Sequence, residues 1–126
     1  MIYSIGDFSK VIGLSIDTLR YYDKEELICP NRDGNNRRTY TDSDKTWVVF
    51  ILKLKETAMP IKQIKRYAKL RYLGDETVEE RLEMLYDHRI FMLDLKKKLD
   101  ENIDHLNDKI AAFEGKLNKK CNKIKC

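Results

Sequence analysis

From Thr77 the sequence runs without proline, and without glycine until Gly115. Val78, Leu85, Met92, Leu99, Leu106 and Phe113 recur every seventh residue, while Leu82, Ile103, Ile110 and Leu117 fill a second series four places further on. That spacing keeps one narrow apolar seam on one side of a helix, the pattern of a coiled coil. About 40 residues at 1.5 Å each make a helix of roughly 60 Å, too long to hold in water without a partner. A second copy of the chain is the economical partner. Residues 77–118 are therefore read as a dimerisation helix. Arg89 and Lys96 interrupt the second series. An in-register parallel pair would set these like charges together, whereas an antiparallel pair separates them. Around them Tyr86, Ile90 and Leu93 widen the apolar stripe.

The rest of the chain differs in charge. Residues 1–72 carry 14 Lys and Arg against 9 Asp and Glu, whereas residues 73–118 are acidic by 5. A basic head on an acidic helical stalk suits a polyanion-binding module better than a uniformly basic protein would. Leu73-Gly74-Asp75-Glu76 is the break between them, so residues 73–76 are read as a linker and 119–126, with four lysines, as a basic unstructured tail. Two prolines and five glycines point to a mainly helical protein. No apolar run is long enough to span a bilayer, and Asp7 and Lys10 interrupt any signal-peptide core. Three cysteines without an export signal fit the reducing cytoplasm.

Within the head, Ile5, Phe8, Val11 and Ile12 have helical spacing, with Ser4 as cap and Gly13 as stop. Leu14-Ser15 then opens a second helix almost at once, with Ser15 suited to hold its first turn. Leu19 and Tyr22 form its packing side, and Asp17, Arg20, Tyr21 and Lys24 project to the other. Two short helices around a tight glycine turn read as a helix-turn-helix. Leu27-Ile28-Cys29-Pro30 is extended. Residues 32–38 make a turn with three arginines around its tip (Arg32, Arg37, Arg38), and Arg38-Thr39-Tyr40 returns as a strand, so this hairpin reads as a wing carrying phosphate donors. Thr41-Asp42-Ser43-Asp44 caps a third helix that buries Trp47, Phe50, Ile51 and Leu54. Met59-Pro60 breaks it, and a fourth helix follows with Ile61, Ile64 and Ala68 inward and Lys62, Lys65, Arg66 and Lys69 outward. Lys62 beside a helix N-terminus is a natural phosphate seat.

The order Ile5-Gly6-Asp7-Phe8, then Ser15 followed by Leu19-Arg20-Tyr21-Tyr22-Asp23, then Leu27-Ile28-Cys29-Pro30 and Arg38-Thr39-Tyr40-Thr41 with Asp44, resembles the MerR family of bacterial transcription regulators. The proportions look like its short branch without a separate effector domain, similar to aldehyde- and stress-responsive members. The resemblance covers residues 1 to about 117. It implies a winged helix-turn-helix head and an antiparallel coiled-coil homodimer bound to a pseudo-palindromic promoter in double-stranded DNA. An effector, a small molecule among the options, would bias two states of the dimer. The DNA would be distorted so that RNA polymerase, an indirect partner, engages both of its elements. Carried over, Arg20 and Tyr21 contact DNA, Ile16, Asp17 and Thr18 stand near base edges, Ser15 belongs with them to the DNA-binding set, and Tyr22 packs or touches phosphate. Arg38 and Tyr40 match the wing motif, Arg37 is added here, and Lys62 holds a phosphate. Glu26 stands where glycine is usual, and Asn36 where the wing tip usually has glycine. Asparagine takes positive φ readily, so neither change threatens the fold.

Metal-sensing relatives use a cysteine at the start of the coil, and residues 73–81 have none. Cys121 and Cys126 follow the coil among lysines, either a two-thiolate site for a soft ion or incidental thiols, the latter weighted at about four to one. Cys29, between Ile28 and Pro30, reads as a packed small hydrophobe. No cofactor is implied. His88 and His105 lie on the coil without a catalytic constellation, so no enzyme is read here. The rival is a coiled-coil interaction adaptor, for which an arginine-bearing wing has no use.

Overall fold

The computed structural model describes residues 1–125, with side chains described as far as residue 120. Cys121 and Cys126, the candidate thiolate pair, lie outside the residues whose side chains are described. The chain is mainly α-helical, with a small sheet and a long C-terminal helix. Its elements are β1 (Ile2–Ser4), α1 (Ile5–Ile12), α2 (Ile16–Lys24), β2 (Asn31–Arg32), β3 (Arg38–Thr41), α3 (Asp42–Glu56), α4 (Ile61–Leu73) and α5 (Val78–Lys125). Two compact units are present, Met1–Tyr86 and the part of α5 from Asp87.

Local chemistry sets the helix ends. The Ser4 hydroxyl accepts from the Asp7 N–H at 3.1 Å, and that of Ser15 accepts from the Thr18 N–H at 3.1 Å. Gly13 ends α1 with φ +78°, a conformation that is free only to glycine. Thr41 and Asp44 form a reciprocal capping box at the start of α3, with bonds of 2.9 and 3.2 Å. These caps follow directly from the residue types.

The sheet does not. It has the antiparallel order β1-β3-β2, with Tyr3 opposite Tyr40 and Arg32 opposite Arg38. β1 carries no pattern visible in three residues; pairing with β3 creates it. The N-terminal ammonium and the Tyr3 hydroxyl both bond Asp42, tying β1 to the start of α3. The wing's outgoing strand is Asn31–Arg32, while Leu27 and Ile28 turn into the core.

Phe8, Leu19, Tyr22, Leu27, Ile28, Tyr40, Trp47, Val48, Ile51, Leu54, Met59, Ile64, Tyr67 and Ala68 form one buried cluster. Met84 and Leu85, from the first turns of α5, pack against it. The Trp47 indole N–H donates to the Leu27 carbonyl at 2.8 Å, so the buried ring also fixes the approach to the wing. Ile61, expected inward, is 47% exposed because it stands in the first turn of α4, beyond the core's edge. Phe50 is half-buried at that edge.

The segment read as a linker is a tight joint. Gly74 has φ +111°, and residues 75–77 form a 3₁₀ turn. The Thr77 hydroxyl bonds the Leu70 and Gly74 carbonyls at 2.6 and 2.8 Å, and Arg81 reaches the Gly74 carbonyl at 3.2 Å. The tail expected to be unstructured from residue 119 instead continues α5 as far as Lys125, because no helix breaker interrupts it. From Asp87 on, Met92, Leu99, Ile103, Leu106, Ile110, Phe113 and Leu117 are all exposed along this helix. A stripe of that length on one helix is an uncovered interface.

Glu26 holds φ +62° just past α2, with its N–H donating to the Asp23 carbonyl at 3.0 Å. A side chain there carries steric strain that glycine would not. Glu26→Gly is therefore expected to stabilise the head by about 0.5 kcal/mol or more, the relief of strain outweighing glycine's larger unfolded-state entropy. Urea unfolding at constant m checks this, and a lower midpoint would contradict it.

Candidate nucleic-acid interface

The exposed side of α2 presents Ser15, Ile16, Asp17, Arg20 and Tyr21, with Thr18 half-buried and hydrogen-bonded to the Ser15 hydroxyl at 2.8 Å. Tyr21 is 54% exposed. Arg20 lies 3.8 Å from Asp17 one turn back, a loose surface pair that leaves the guanidinium available. Tyr22 is different: it is 2% exposed, packed in the core, and its hydroxyl accepts from the Lys55 ammonium at 3.1 Å. It supports the helix from beneath and is removed from the contacting set. At i+3 from Leu19 it lies on the buried side, and its polar tip finds a partner on α3.

The wing is shaped by Asp33, whose carboxylate accepts the N–H groups of Asn35 and Arg37, both at 2.9 Å. The bond from the Arg37 N–H is the chief reason its carboxyl lies below the usual range, partly offset by desolvation. Asn36 takes φ +58° at the tip, a role open to asparagine. The wing is then locked to α2 by Asp23, which receives Arg38 Nε at 2.7 Å and Arg32 Nη2 at 3.3 Å. Sequence reading gave Asp23 only as the end of a motif. Its function as the clamp depends on the chain folding back, and the only signal for it was a carboxylate at the end of α2 with arginines ahead.

This clamp brings together a hollow of about 460 Å³ lined by Arg20, Arg32, Arg37 and Arg38 with Ser4, Ile5 and Asn36. Four arginines line one hollow, and Asp23 holds the guanidinium groups of two of them, Arg32 and Arg38, in place. Such a surface accepts the oxygens of a polyanion, since the planar guanidinium matches phosphate geometry. Lys62 is exposed at the start of α4 but does not line the hollow. Tyr40, expected as a wing contact, is 0% exposed and stacked on Phe8 at 4.3 Å. Its hydroxyl has no hydrogen-bond partner among the described residues, and burial pushes its pKa up to about 12. It is a floor beneath the wing, removed from the contacting set because β3 turns it inward. Among the described residues no His, Cys, Asp and Glu cluster could hold a metal ion. Among the same residues no helix is long and apolar enough to cross a membrane.

Asp23→Asn leaves two guanidinium groups without their anchor. The expected result is a loss of about 1–3 kcal/mol of stability, as for hydrogen bonds to a charged partner, with the fold retained. Thermal and urea unfolding measure it; an unchanged midpoint would show that the wing is held by the sheet alone.

The model of the MerR HTH family regulatory protein matches residues 3–70, covering α1, α2, the wing, α3 and most of α4. An uncharacterised HTH-type transcriptional regulator of Haemophilus influenzae is 37% identical over 116 residues, spanning 90% of this chain and 85% of the relative. Among solved structures, HiNmlR, a MerR family regulator lacking the sensor domain and bound to promoter DNA, is similar at a TM-score of 0.80 and 36% identity, over 90% of this chain and 91% of that one. A MerR family regulator from Listeria monocytogenes is similar at a TM-score of 0.87 and 27% identity, over 98% and 94%. With the two-helix reader, the arginine-lined wing and the long C-terminal helix all in place, the chain belongs to the MerR HTH family of transcription regulators.

Proposed function

We propose that the protein binds a pseudo-palindromic promoter as a homodimer in the cytoplasm and distorts the DNA to control transcription. The hollow between α2 and the wing carries this reading: four arginines converge beside an exposed Tyr21 at the outer side of a helix-turn-helix. The arginines would position the head on the phosphate backbone, while Ser15, Ile16, Asp17 and Thr18 face the base edges. Lys62 would hold a second phosphate at the start of α4, away from the hollow. The similarity to HiNmlR, whose structure contains promoter DNA, supports the DNA-binding reading.

The homodimer would form through residues 77–118, whose apolar stripe is uncovered in a single chain from Met92 on, Leu85 packing on the core of the head. Paired antiparallel, two copies would set their heads on half-sites about one helical turn or a multiple apart, since two-fold protein symmetry is matched by two-fold DNA symmetry. Bending and untwisting of the intervening DNA would bring the polymerase elements into line, with an effector selecting between two dimer states. Selection of genomic fragments by the purified dimer tests this. The expected product is a site with inverted half-sites in a promoter spacer. Recovery of unrelated fragments in proportion to their abundance, at fixed salt, would refute sequence-specific binding.

A further inference from the structure

We infer that a second hollow in the head is a receptor site for an amphipathic organic anion, a flat apolar body bearing one carboxylate or sulfonate, and that this is where the chain takes its signal. The hollow has a volume of about 660 Å³ and lies where the end of α2, the approach to the wing and the last turns of α4 meet. That is ample for a small organic ligand. On its rim, Lys65 is paired with Glu25, and Arg66 with Glu80 at 2.6 Å. Lys24 and Lys69 make no ion pair among the described residues, and Glu26 is the lining carboxylate that opposes them, while Asp23 and Asp44, outside the lining, act on Cys29 with Asp23 already holding Arg32 and Arg38. One added anion restores the balance, so charge selects an acid over a base. The apolar part of the lining is the exposed ring of Tyr72 and the side chain of Leu73, a surface that a flat ring covers well.

Cys29 also lines this hollow and is exposed, not packed as its neighbours Ile28 and Pro30 suggested, because Ile28 takes the place in the core and Pro30 is only half-buried, leaving Cys29 at the surface. Desolvation, then the charges of Asp23, Glu26 and Asp44, push its pKa up. The contacts proposed for the ligand are those of the lysines and the Tyr72 ring, and none of them involves the thiol.

The position suits a signal. The Cys29 N–H donates to the Tyr72 hydroxyl at 3.0 Å, and the Leu27 carbonyl accepts the Trp47 indole N–H at 2.8 Å. The Arg71 guanidinium lies 4.9 Å from the Trp47 ring and 5.0 Å from that of Tyr72. A ligand on Tyr72 and Lys24 thus touches the ends of α4 and α2, with Tyr72 bonded to the approach to the wing at Cys29, and stabilises whichever arrangement of these elements it fits better. This consequence rests on the regulatory reading above; the binding itself does not.

The test uses the 126-residue chain in its assembled form and naphthoate as probe, followed by the indole N–H resonance of Trp47, the one tryptophan in that sequence. The expected result is a saturable shift at sub-millimolar naphthoate, weakened about tenfold in Lys24→Ala/Lys69→Ala and unchanged in Cys29→Ser. Absence of a saturable shift, an equal shift with inorganic phosphate, or unchanged affinity in the double lysine variant would overturn the site. Naphthoate should also alter the affinity or bend of the promoter complex. Binding that leaves both unaltered would overturn the signalling role. A chain that binds naphthoate but no DNA fails the regulatory reading and leaves the site standing.

Discussion

A dimer carrying Arg20→Ala and Tyr21→Ala binds its promoter fragment at least about a hundredfold more weakly than the parent, the loss expected when one base or phosphate contact of 1–3 kcal/mol is removed from each side chain. Both residues lie on the exposed side of α2, and neither belongs to the buried cluster. The double variant therefore keeps its helical circular dichroism and its unfolding midpoint, so the loss is not one of folding. The two contributions separate by salt titration. Removing a phosphate-bound arginine from both heads of the dimer should lower the slope of log affinity against log salt by about 1.8, about 0.9 for each contact, whereas removing a tyrosine that contacts a base leaves the slope alone. Full binding by the double variant at fixed salt would mean that α2 does not read the DNA. The neighbouring Tyr22→Ala is a useful contrast. It empties a site that is 2% exposed and is expected to cost about 3–5 kcal/mol of stability, so its effect on binding would follow unfolding.

Ile103→Asp/Leu106→Asp should produce a monomer. Both side chains are exposed on the isolated helix and belong to the two heptad series. Burying two carboxylates per chain in the apolar seam of a pair costs several kcal/mol, more than a seam of this length can absorb. Sedimentation equilibrium reads the change directly, and helicity should fall because a single helix of this length is marginal in water. DNA affinity should fall by about a hundredfold or more, because the second head loses the effective concentration that tethering gives it. A variant that stays dimeric would place the interface elsewhere on the chain.

How much of this could be seen beforehand differs element by element. Ser4, Gly13, Ser15 and the Thr41–Asp44 box act within one helical turn of their own positions, and each marks its helix end as its residue type dictates. The same short range hides β1. Ile2–Ser4 becomes a strand only because β3 is there to pair with it. Tyr22 and Tyr40 show the limit most clearly. Tyrosine has an apolar body and a polar tip, so a motif that places it beside arginines reads equally well as a contact or as packing. The structure buries both, leaving Tyr21 as the exposed member of the group. Glu26 was legible as a substitution for glycine, but its left-handed conformation could be located only once α2's end and the descent of Leu27 into the core were in place.

The sequence by itself determined the helices of the head with their caps, the seven-residue period of α5 and the uneven charge, though not where α5 stops, since these depend on neighbours within a few residues and on composition. Tertiary structure alone decided that Asp23 would meet Arg32 and Arg38, that four arginines would line one hollow, and that Lys24, Cys29, Lys69 and Tyr72 would line another. The reason is physical. Burial and charge pairing are set by which distant segments come together, and that is fixed by closing one core across α1 to α4 and the wing, to which each residue contributes only in concert with the others.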